Sequence, residues 1–179
     1  MDKKQGAPKD HNVPTRETEH PWIHAHVPNR NNQKIHKVGK WLLFHDIQKK
    51  CRTTGLTDHD RAWQHMESLV LNNYQNTGII GAKASTAWAG DRYCTSNSTT
   101  GVICCYVGDY TNKLEVKRAA DAIRQVIHLS SPIYFKTDEA TWAGQYNHLG
   151  NKNVSMYMHT PYNDLFERDE FGKWRKLNL

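Results

Sequence analysis

The sequence predicts an α+β fold: a curved, mostly antiparallel sheet with two or three helices on its convex face. Three observations lead there. Short apolar runs of strand length stand at residues 38–47, 77–86, 101–109 and from 133 onward. Two intervening segments switch to helical period. Strands and helices alternate, but too loosely for a doubly wound parallel sheet.

The run VGKWLLFHDI reads as a strand beginning after Gly39. In TGLTDHDRAWQHMESLVLNNY, Thr57 is an N-cap, and Asp58 and Asp60 suit the positive end of a helix dipole. Trp63, Met66, Leu69 and Val70 recur on one face as the buried stripe. TGIIGAKAST predicts a strand, and GVICCYVGD a nearly all-apolar and therefore central one. The segment between them, AWAGDRYCTSNSTT, is a long polar loop. NKLEVKRAADAIRQVIHL is the clearest helix, with Asn112 and Glu115 at capping-box spacing and Val116, Ala119, Ile123, Val126 and Ile127 as its apolar stripe. Pro132 stops it, and IYFKTDEATWAGQY follows as a strand.

A chain of 179 residues suits one domain. Residues 1–20, rich in charge and proline, are expected as a flexible polar tail, because so few apolar groups cannot offset the entropy of ordering. Residues 21–165 form the domain, and 166–179 a basic C-terminal extension. No apolar run is long enough to span a membrane, and no apolar core of a signal peptide stands near Met1. The four cysteines lack zinc-site spacing and read as reduced thiols, so the expected compartment is cytoplasm, nucleus or both.

A formal net charge of +6 favours an anionic partner. Lys83 and Lys136 lie mid-strand among apolar neighbours. If both face the concave surface, they form a positive floor for phosphate oxygens; otherwise each snorkels to the rim or pairs with Asp138 or Glu139. Asp138 can accept from a base edge or cap a turn. Of six tryptophans, Trp41 and Trp63 have core-like neighbours, whereas Trp22, Trp88 and Trp142 stand in polar contexts where stacking on a base is chemically available. Trp88 with Arg92 is the favoured stacking pair. His20, His24 and His26 lack a following carboxylate or cysteine at ligand spacing, so neither metal nor cofactor is expected. No Ser-His-Asp or Cys-His arrangement is supported, and no catalytic residue is assigned.

The ordered series GKWLLF, GIIGAKAST, GVICCYVGDYTNKLEVKRAADAIRQV and IYFKTDEATWAGQY resembles the Bles domain family, named after a basophilic-leukaemia-expressed protein and known as a domain of unknown function. The resemblance covers roughly residues 21–160 and implies a fold like that of the cap-binding translation initiation factor 4E. That factor holds a methylated guanine between two tryptophans. Here Ala87 and Trp88 follow AKAST where the resemblance implies a phosphate-binding arginine, and Arg92 comes later, so cap binding of that kind is not expected.

These readings converge on a non-enzymatic binding module for RNA or a nucleotide-like phosphate ligand, held by Lys83, Trp88, Arg92, Lys136, Asp138 and Trp142. Two alternatives stand beside it. One is a phosphate-ester enzyme using a lysine and a histidine, for which HLS at 128–130 and HT at 159–160 are faint cues. The other is a protein–protein adaptor, which calls for a flat apolar patch and no basic cleft.

Overall fold

Thr57 starts the first long helix as its sequence requires: its hydroxyl accepts from the Asp60 amide while Asp60 accepts from the Thr57 amide, a complete capping box. In the computed structural model, which describes residues 12–28, 37–89, 99–146 and 149–179, this helix is α1, Asp58–Asn72. Trp63, Met66, Leu69 and Val70 are its buried stripe, joined by His59 and Asp60. The second long helix, α2, is Lys113–Val126, with the Asn112 side chain accepting from the Glu115 amide.

The strands are β1 (Trp22–His26), β2 (Gly39–Asp46), β3 (Ile79–Ser85), β4 (Thr100–Val107), β5 (Ile133–Thr137), β6 (Tyr157–His159), β7 (Leu165–Arg168) and β8 (Trp174–Lys176). They form one curved sheet in the order β1-β3-β4-β2-β5-β6-β7-β8, every described pairing antiparallel. The α+β class and the curved antiparallel sheet expected from the sequence are therefore present, and β4 is internal as its apolar run required. No helix among the described residues is long and apolar enough to cross a membrane.

α1 and α2 cover one face. Trp41, Leu43, Ile103, Cys105, Phe135 and Tyr157 meet Trp63, Met66, Val116 and Ile123 in the core. The Trp41 indole N–H donates to the Val116 carbonyl at 3.1 Å, which fixes α2 against β2. At the far end His159 is fully buried. Arg124 Nε donates to its Nδ1 at 2.9 Å, so its Nε2–H is the donor to Asp121 Oδ1 at 2.8 Å. His159 is thus a strut of the α2–β6 junction, and His128 is exposed; the two histidines suggested as a phosphoesterase pair do not form one.

The stretch 133–146 departs from a continuous strand. β5 ends at Thr137, whose hydroxyl accepts from the Ala140 amide and opens a short helix, α3, Asp138–Trp142. Threonine followed by two carboxylates is an N-terminal helix signal, and it overrides the extended preference of the preceding residues. Of residues 1–20, those from 12 are described: a single 3-10 turn at Pro14–Arg16 buries Pro14, and the Thr15 amide and hydroxyl donate to Asp60 at 2.9 and 2.7 Å. At the other terminus, β7 and β8 extend the sheet through residues 165–176.

β2 needs Gly39 for close packing. A Cβ there would lie 2.3 Å from Phe135 Cε1, and Phe135 is fully buried. Gly39→Ala is expected to lower the unfolding free energy by about 1–3 kcal/mol in urea titrations, the range for overpacking.

Candidate functional site

The face away from α1 and α2 carries the lysines, and register shows how. On β2, core-facing Trp41 forces Lys40 to the opposite side. On β5, core-facing Phe135 does the same for Lys136, which pairs directly with Lys40 across the strands. Lys83 needs an extra device. Ile79 faces the core, so plain alternation would send Lys83 there too. A bulge between Ile79 and Gly81 shifts the register, and Lys83 emerges opposite Cys104 on the open face, with Ala82 and Ala84 in the core.

These residues border a cleft of about 420 Å³. Its floor is Leu42, Val102 and Cys104; Trp22, Lys83 and Phe44 lie along it, as do Lys40, Lys136, Thr141 and Tyr146. Vicinal Cys104 and Cys105 take opposite faces, one toward the cleft and one in the core. Burial raises the pKa of both thiols. Neither is a ready thiolate.

The three ammonium groups differ. Lys40 Nζ donates to Asp138 Oδ1 at 2.5 Å and Thr141 Oγ1 at 3.0 Å, so its charge is matched. Lys83 Nζ sits 4.0 Å from the Trp22 ring centroid and 5.9 Å from that of Tyr106. Lys136 Nζ donates to the Gln145 carbonyl at 2.5 Å and lies 3.6 Å from the Tyr146 ring centroid. Burial, and then the neighbouring Lys40 charge, pull the Lys136 pKa down. Among the described residues, no carboxylate pairs with Lys83 or Lys136.

Lys83, Lys136 and Asp138 are therefore brought to one face, but Asp138 is committed to Lys40 and does not pair with Lys136. Trp142 is 79% exposed on α3 and Trp88 is half-buried at the end of β3; neither borders the cleft. Arg92, the expected stacking partner of Trp88, lies outside the described residues. Trp22, one of the three tryptophans the sequence makes available for stacking, borders the cleft, and so do Lys40 and Tyr146, which the sequence does not single out. Lys40 was legible by parity from Trp41; Tyr146 was not, because α3 redirects the chain toward it.

A smaller cleft of about 290 Å³ adjoins at Lys83, bordered by His24, His26, Tyr106 and Asp138. The two histidine rings stack at 5.8 Å. Among the described residues no group of three or more histidine, cysteine or carboxylate side chains could hold a metal ion.

No family model matches the chain, and neither does any curated protein, so the Bles resemblance has no support from either comparison. Solved structures that match include eIF4E proteins. Schistosome eIF4E, complexed with m7GpppA and 4E-BP, is 13% identical over 65% of this chain and 55% of its own, with a TM-score of 0.43. C. elegans eIF4E-3, complexed with the 4E-binding protein Mextli and a cap analog, is 15% identical over 65% and 57%, with a TM-score of 0.44. Ascaris suum eIF4E-3 with an m7G cap gives 14%, 65%, 61% and 0.43. The chain spans a little over half the length of these proteins, and likeness of this degree assigns no function.

Proposed function

We propose that this protein is a non-enzymatic binding module, in cytoplasm or nucleus, for a nucleotide-like phosphate ligand or the RNA that carries it. The observation behind the proposal is the make-up of the larger cleft: an apolar floor with, on either side, an ammonium that has no carboxylate partner among the described residues, Lys83 beside Trp22 and Lys136 beside Tyr146. Desolvated ammonium groups favour an anion, and the aromatic faces suit a flat ring. Lys83 and Lys136 stand three strands apart, about 14 Å across the sheet, and are offset by two residues along it, which fits an elongated ligand lying over Leu42 and Cys104. Membership of the Bles family belongs to this proposal and rests on motif order alone.

The phosphate-ester enzyme is disfavoured because, among the described residues, no histidine borders the cleft that holds Lys136. The adaptor reading is disfavoured by the basic cleft itself.

Titration of the Trp22 fluorescence environment with nucleoside triphosphates and short oligonucleotides, repeated across a salt series, tests the proposal. Affinity should fall as salt rises, and Lys83→Ala should weaken binding by roughly tenfold or more. Salt-independent binding, or none to any of these anions, refutes it.

A further inference from the structure

The feature of the cleft that simple anion binding does not use is the unequal state of its two facing amines. Lys40 and Lys136 are directly paired across β2 and β5, and both are nearly buried, 8% and 5% exposed. Two ammonium ions this close and this dry oppose one another. Lys40 donates to Asp138 and Thr141, so its charge is matched by a carboxylate. Among the described residues Lys136 has a neutral carbonyl and an aromatic ring but no carboxylate. Of the pair, Lys136 is the one built to give its proton up, and its lowered pKa agrees. The Gln145 carbonyl takes one N–H of the resulting amine at 2.5 Å and so restricts the lone pair to the two remaining tetrahedral directions.

We propose that the Lys136 amine is a nucleophile that condenses with the carbonyl carbon of an anionic aldehyde or ketone held in the cleft. The nitrogen lone pair forms a C–N bond, the C=O π pair moves to oxygen, and the nitrogen proton passes to that oxygen, giving a carbinolamine. Loss of the hydroxyl as water, with a proton supplied by the Lys40 ammonium on the adjoining strand, leaves a C=N bond between ligand and Lys136. The step is a condensation without oxidation or reduction, and water reverses it. The apolar floor of Leu42, Val102 and Cys104 slows that reversal by limiting water. Lys83, across the floor and without a carboxylate partner among the described residues, is the counter-charge for the ligand's anionic end. The proposal shares with the binding reading only this anion at Lys83.

The probe is pyridoxal 5′-phosphate, an aldehyde with an anionic end, trapped by borohydride and located by peptide mass mapping. Lys136 should be the most heavily labelled amine of the chain, with inorganic phosphate slowing the labelling. Pyridoxal without the phosphate should label Lys136 far less, and Lys83→Ala should remove most of that difference. Lys136→Arg, which keeps a cation but cannot form the imine, should lower total incorporation by one equivalent. Circular dichroism and the thermal midpoint establish that both variants are folded. Label spread over exposed lysines with Lys136 unmodified overturns the proposal, as does unchanged incorporation in a folded Lys136→Arg. Nucleotide binding without an adduct overturns this proposal alone. An adduct without nucleotide binding overturns the binding reading alone.

Discussion

Asp60→Ala is expected to lower the unfolding free energy by about 3–5 kcal/mol, because it strands several buried donors at once. Asp60 is 1% exposed at the start of α1. Its Oδ2 accepts from the Thr57 amide and hydroxyl, both at 2.9 Å, and from the Thr15 hydroxyl at 2.7 Å. Its Oδ1 accepts from the Thr15 amide at 2.9 Å. Burial works against the carboxylate, yet these donors outweigh it and hold the pKa below its ordinary value. One side chain therefore caps α1 and ties residues 14–16 to it. Thr15→Val removes a single hydroxyl bond and should cost only about 1 kcal/mol. Urea denaturation of the two variants, with limited proteolysis ahead of β1, checks the pair. A loss below that of Thr15→Val for Asp60→Ala would show that the carboxylate is not the tie.

That tie also shows what a one-dimensional reading can and cannot reach. Thr57 and Asp60 were legible as a helix start because capping is local, three residues apart. That Asp60 would also capture Thr15, 45 positions upstream, was not, and so residues 12–20 read as tail. The sheet face was legible wherever strict alternation held: Trp41 and Phe135 are core residues, and Lys40 and Lys136 follow by parity. Lys83 reaches the same face only through the bulge at Ile80, a register shift that the apolar run Ile79-Ile80-Gly81 does not announce. Of the two directions the sequence leaves open for Lys83, the bulge selects the open face. Asp138 lies at the site as expected of its position, but its partner Lys40 is not legible locally, since the pair spans 98 positions. Trp142 stands apart from the cleft for a different reason. The strand signal of IYFKT carries no information on where extension stops, and the Thr137 cap turns the next five residues into α3, leaving that indole in solvent.

Mild acid should destabilise the fold well before the carboxylates titrate. His59 is fully buried on α1, its ring packed over Gly101 so closely that a Cβ there would come within 2.7 Å. Its Nε2 meets the Ser85 carbonyl at 2.9 Å and must be the protonated nitrogen, leaving Nδ1 bare. His45 on β2 has its Nε2 buried without a partner. Burial, and then the nearby His59, lower the His45 pKa from 6.5 to about 4, and burial lowers that of His59. A histidine whose folded pKa is depressed is neutral in both states above 6.5, so stability is complete there. As pH falls through 6.5 the unfolded chain binds protons that the fold refuses, and stability drops until the folded pKa is reached. For His45 alone that window, from 6.5 to about 4, corresponds to about 3 kcal/mol. His59 and His159 add to it in the same direction. Asp60 acts lower, because its stabilisation is lost only as pH falls below the ordinary carboxylate value of 3.8. Urea midpoints measured from pH 7.5 to 4.5 should therefore fall steadily. His45→Leu, which removes both the orphaned nitrogen and the titration, should flatten the fall by roughly the His45 share. A parallel profile in that variant would place the acid sensitivity elsewhere, with His159 and its Asp121–Arg124 partners the next histidine to replace.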